Sequence, residues 1–165
     1  MDAKVIHGER MLLAGLSYYG DPFSRSAGWT EENEIGVLWK RFERTMATLP
    51  HALSLAEPDL ACELHIPDAD TPETGQYEVF IGCPVVAPDV PLSLVMKVVP
   101  ASRYVVFHLA GREMVEDDTY LQMDQWISSH RHSRSGSWMI NRYDHRFKGL
   151  DRVEESEMDV WIPIE

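Results

Sequence analysis

Apolar and polar positions alternate with a period of two along several stretches of this chain, and along two others they recur every three or four residues. Arg10 to Gly20, RMLLAGLSYYG, is an apolar run ending in turn residues and predicts a strand, followed by a loop through DPFSRSAG. In NEIGVLWKRFERTMATLP, Ile35, Leu38, Trp39, Phe42, Met46 and Leu49 form one apolar stripe. That spacing predicts a helix, with Glu31, Glu32 and Glu34 at its positive end and Pro50 as its stop. Asp59–Ile66 and Gln76–Val86 then read as two strands separated by PDADTPETG.

The second half repeats this order. Ser93 to Gly111 is strand material, EDDTYLQMDQWISSH is a helix with Tyr120, Met123, Trp126 and Ile127 on one side, and SEMDVWIPIE closes the chain as a strand. Between them, GSWMINRYDHRF alternates: Trp138, Ile140, Arg142, Asp144 and Arg146 fall on one face, and Met139, Asn141, Tyr143, His145 and Phe147 on the other. Short echoes tie the halves together, RMLLAGL with RYVVFHLAG and YEVFIG with MDVWIP. The expectation is an α+β fold in a single domain, with duplicated β-α-β-β modules of about residues 1–86 and 91–165. Neither half can bury a sheet face alone. The two should therefore share one antiparallel sheet, with both helices on one face and a groove between them.

Charge narrows the function. Fifteen basic against 27 acidic residues give a net charge of −12, which opposes direct binding to a phosphate backbone and suits neutral or cationic partners. No basic leader with a long apolar run opens the chain and no membrane-length apolar stretch follows, so the expected location is cytoplasmic. Cys62 and Cys83 lack the paired spacing of a redox or zinc motif and read as free, buried thiols. His130 and His132 lack supporting ligands for a metal. No phosphate-binding glycine loop or nucleophile elbow is present, so no catalytic residue and no cofactor is expected.

VPASRYVVFHLAG, the tryptophan of MDQWISS, INRYDHRF and SEMDVWIPIE resemble the gyrase-inhibitor-like (GyrI-like) effector-binding domains. NEIGVLWKRF and YEVFIGCPV resemble the stand-alone branch that includes integron cassette-encoded effector-binding proteins. The resemblance implies a pseudo-symmetric pair of modules around a pocket for lipophilic, often cationic, aromatic compounds. The fold consumes the chain, so control of transcription would run through a separate DNA-binding partner. Relatives place a glutamate where this chain has Asn141, and Glu63, on the equivalent strand of the first half, can supply that charge. Asn141 and Tyr143 are the expected polar contacts, with Trp39, Trp126 and Trp161 as stacking surfaces and Tyr18 and Tyr19 as a rim. Two other readings stand beside it: a GyrI-like hydrolase acting on small xenobiotics, and an acidic interaction module acting on a partner such as gyrase.

Overall fold

Eight strands form one antiparallel sheet in a computed structural model that describes residues 1–49 and 53–165. In chain order the elements are β1 (Asp2–Gly8), β2 (Met11–Gly20), α1 (Glu34–Thr48), β3 (Ala61–Ile66), a short α2 (Thr71–Thr74), β4 (Tyr77–Val85), β5 (Val95–Val99) and β6 (Ser102–Ala110). A 3₁₀ turn (Gly111–Met114), α3 (Thr119–Ser129), β7 (Met139–Tyr143), a second 3₁₀ segment (Leu150–Glu155) and β8 (Glu157–Ile164) complete it. Pro50, the expected helix stop, lies outside the described residues.

The strand order, β1-β6-β8-β7-β3-β4-β2-β5, is symmetric about the central β7–β3 pair. The segments β2-α1-β3-β4 and β6-α3-β7-β8 take mirrored places, as a duplicated β-α-β-β fold requires. Strand β1 was not among the expected elements. Its apolar residues divide between the two faces, Val5 opposite Val105 and Ile6 opposite Tyr104, and leave no clean alternation to read. The strand material of Ser93 to Gly111 divides into β5 and β6 at Pro100 and Ala101.

Two connections bend the sheet. Glu9 and Arg10 alone join β1 to β2, and Pro100 and Ala101 alone join β5 to β6, although each pair of strands lies at opposite ends of the order. Three Cα steps span about 11 Å at most. The two wings must therefore meet behind the sheet, with β1 and β5 remaining its edges. Met11 of one wing reaches Arg142, whose Nη1 lies 3.6 Å from the Met11 sulfur, and the Tyr104 hydroxyl donates to the Pro100 carbonyl at 2.9 Å. This curvature buries a helix-free core of Leu13, Cys62, Leu64, Phe80, Tyr104, Val106 and Ile140.

The other face carries the two long helices, α1 and α3. Helix α1 lays Leu38 and Phe42 on Val79, Ile81 and Cys83, while α3 lays Met123 and Ile127 on Phe107, Leu109 and Val160. Asn33 caps α1: its Oδ1 accepts from the Gly36 amide at 3.0 Å and its Nδ2 donates to the Gly28 carbonyl at 2.8 Å. Gly36 is required there, because a Cβ would lie 2.4 Å from the Glu31 Cα. The cap thus fastens the segment carrying Trp29 against the helix start.

Candidate functional site

Between α1 and α3, over the central β3–β7 pair, lies a cavity of about 780 Å³, a volume suited to a drug-sized molecule. Its floor follows from strand parity. Even-numbered residues of β3 enter the rear core, so Ala61, Glu63 and His65 point forward, and on β7 Met139, Asn141 and Tyr143 do the same. Glu63 pairs with Asn141 across the two strands.

Glu63 is 5% exposed, and the cost of burying its charge is met by three donors. Trp39 Nε1 donates to Oε2 at 2.5 Å, while His65 Nε2 at 2.8 Å and Asn141 Nδ2 at 3.1 Å both approach Oε1. Burial pushes the carboxyl upward, but the bonds from His65, Trp39 and Asn141 outweigh it and hold the group below its usual value. Glu63 is thus an ionised carboxylate in an apolar chamber. The far nitrogen of His65, Nδ1, lies 3.3 Å from the Tyr77 hydroxyl.

Aromatic rings make the walls. Tyr143 meets Trp39 edge to face at 5.3 Å between centroids, Phe147 at 4.9 Å and Trp29 at 6.4 Å. Tyr120 of α3 closes the opposite side. Burial first, and the Glu63 charge second, raise the phenols of Tyr77, Tyr120 and Tyr143, Tyr120 to about 12, so all three stay protonated near neutrality. Glu31, Glu43, Glu116 and Asp117 also line the cavity, against Lys40, which pairs with Glu31 at 2.8 Å. The whole chamber is negative. Among the described residues no cluster of histidine, cysteine or acidic side chains is arranged to hold a metal ion.

Of the site residues expected from the sequence, Glu63, Asn141, Tyr143 and Trp39 come together here. Trp161 does not. On β8 it shares parity with Asp159, on the rear face, where the Arg142 guanidinium stacks 4.2 Å above its ring. Trp126 lies outside the cavity lining, edge-on to Phe107 and stacked on His130 at 3.8 Å. Tyr18 packs under α1, and Tyr19 donates to Asp68 at 2.7 Å, so neither forms a rim. Arg142 is 12% exposed, and Arg146 bridges Asp144 and Asp159 at 2.8 and 2.9 Å. Both cysteines are free and buried.

Five lining aromatics were not named from the sequence as ligand contacts: Phe23, Trp29, Tyr77, Tyr120 and Phe147. Phe147 shares the alternation of Asn141 and Tyr143, Tyr77 that of the forward residues of β4, and Tyr120 sits in the stripe of its helix. Trp29 belongs to a loop, where no periodicity marks it. His65 was legible as the residue two beyond Glu63 on the same face.

The fold recurs in solved structures. SAV2435 bound to tetraphenylphosphonium superposes with a TM-score of 0.68 at 16% identity, over 100% of this chain and 94% of that one. The C-terminal domain of EcmrR gives 0.71 at 16% identity over 99% and 97%. An integron cassette protein from the mobile metagenome of Vibrio cholerae gives 0.60 at 16% identity over 99% and 95%. No curated protein matches the sequence. Residues 5–164 match the model of the integron-associated effector binding proteins, so nearly the whole sequence is accounted for, and the chain belongs to that family.

Proposed function

We propose that this effector-binding protein takes a lipophilic organic cation with an aromatic body, held between the rings of Trp29, Trp39, Tyr120 and Tyr143, with Glu63 as its counter-charge. The observation that carries this reading is a single ionised carboxylate on the floor of an aromatic chamber. The buried carboxylate interacts strongly with an entering cation, because little water screens the pair. Aromatic faces add cation–π attraction of about 0.5 to 2 kcal/mol per ring. The tetraphenylphosphonium complex of SAV2435 supports the choice of ligand class. The complex of EcmrR with DNA supports a link to DNA-binding regulation, with a DNA-binding protein as the proposed partner. A cytoplasmic location fits the two unpaired thiols.

Titration of tetraphenylphosphonium and of neutral triphenylphosphine oxide, followed by quenching of tryptophan fluorescence, tests the reading. It expects saturable binding of the cation in the micromolar range, at least tenfold tighter than the neutral compound. Equal affinities, or no saturable binding, would overturn it.

A further inference from the structure

Asn141 is 1% exposed and faces the cavity, yet its Oδ1 makes no hydrogen bond. The amide cannot be turned to cure this. Its other end meets the Glu63 carboxylate at 3.1 Å, and an ionised carboxylate only accepts, so Nδ2 must be the atom placed there. The free carbonyl is a consequence of serving Glu63.

The carboxylate has capacity left as well. It offers about four acceptor positions. Oε1 takes His65 and Asn141, and Oε2 takes only Trp39. The floor therefore presents two unused acceptors, the Asn141 carbonyl and a lone pair of Glu63 Oε2; the donors on Trp39, His65 and Asn141 are committed to the carboxylate, and the Tyr120 and Tyr143 hydroxyls stand nearby without closing on the Asn141 carbonyl. A cation without N–H bonds neutralises the charge but leaves both acceptors unmet. A buried acceptor that loses its water without gaining a donor weakens binding.

From this arrangement we infer that the site is selective for organic cations carrying at least two N–H donors on the charged group, an aryl amidinium or a primary aryl-alkyl ammonium, over quaternary ammonium or phosphonium ions of the same size. This rests on the cation-site reading and names its ligand class. Asn141 is then the residue that sets specificity, and Glu63 supplies the attraction common to both kinds of cation.

The test compares 4-biphenylamidinium, its N,N,N′,N′-tetramethyl derivative and 4-biphenyltrimethylammonium by calorimetry on the wild-type protein, with neutral 4-phenylbenzamide as reference. The amidinium should bind at least tenfold tighter than either of the other cations, and both of those tighter than the amide. Asn141→Leu, which keeps the branched shape and removes the free carbonyl together with the Nδ2 donor to Glu63, should reduce the preference among cations to about twofold. If the three cations bind alike to the wild type and better than the amide, donor selectivity is overturned while the cation site stands. If no cation outbinds the amide, both readings fall. The wild-type comparison decides the matter even if Asn141→Leu fails to fold.

Discussion

At the scale of single residues, the site rests on one carboxylate kept ionised by its neighbours. The Glu63 value is depressed in the folded protein, so the carboxylate adds stability at pH above its unfolded value and loses that contribution as pH falls through the folded one. The Glu63 contribution to cation affinity should follow the same window, lost only as pH falls below the usual value of 4.5. Trp39→Phe keeps the aromatic wall and deletes the donor to Oε2. The decline should then move to higher pH, which cation titrations across that range will read; an unchanged profile would mean that Trp39 does not hold the charge. These contacts were partly legible. Parity along DLACELHI separated Glu63 from Leu60, Cys62, Leu64 and Ile66, and parity along MINRYDHRF joined Asn141 to Tyr143. Parity says which residues share a face, and not which face meets the helices. In MDVWIPI both faces are apolar enough to be core, and Trp161 was assigned to the wrong one for the groove, although the residues that share its parity on the strand, Glu157 and Asp159, are acids.

At the scale of elements, the helices and inner strands were readable because each has a single dominant period, whereas β1, an edge strand with apolar residues on both faces, has none. The start of α1 was read from its acids, yet Asn33 is what fixes it. Asn33→Ala should cost about 1 kcal/mol for the lost cap, plus a further amount for the unpaired Gly28 carbonyl. Because that carbonyl anchors the loop before Trp29, ligand affinity should fall along with the denaturation midpoint. Loss of stability with unaltered affinity would show that the loop is positioned by other contacts. Strand β7 ends at Tyr143, four residues before Phe147, so His145 turns out into solvent, 78% exposed, and Phe147 returns to the cavity through a turn. A polar run such as NRYDHR reads as one strand in sequence; the bonds from Arg146 to Asp144 that close the turn are visible only in three dimensions.

Across the whole molecule, two cores of different purpose share one sheet: the helix face holds the cavity and the rear face holds the curvature. Trp161 belongs to the second. Trp161→Ala should lower stability by about 3 kcal/mol, through lost packing against Tyr104 and Arg142, while leaving ligand affinity within twofold of wild type. A denaturant series beside a ligand titration will check this, and a large loss of affinity without loss of stability would return Trp161 to the site. The symmetric strand order was legible in the repeated β-α-β-β pattern, but the crossing of β1 and β5 to the opposite wings was not, since no local period encodes a pairing between distant strands. The net charge of −12 raises one question that only the whole molecule poses, whether a preference for cations is general or local. A general field is screened over about 8 Å at physiological salt, whereas a buried carboxylate is screened little. The decisive measurement is calorimetric titration of tetraphenylphosphonium and triphenylphosphine oxide into wild type and Glu63→Gln at about 0.15 M salt. The variant should bind the cation at least tenfold more weakly and the neutral compound unchanged; cation affinity that survives the loss of Glu63 would show that this carboxylate is not the counter-charge.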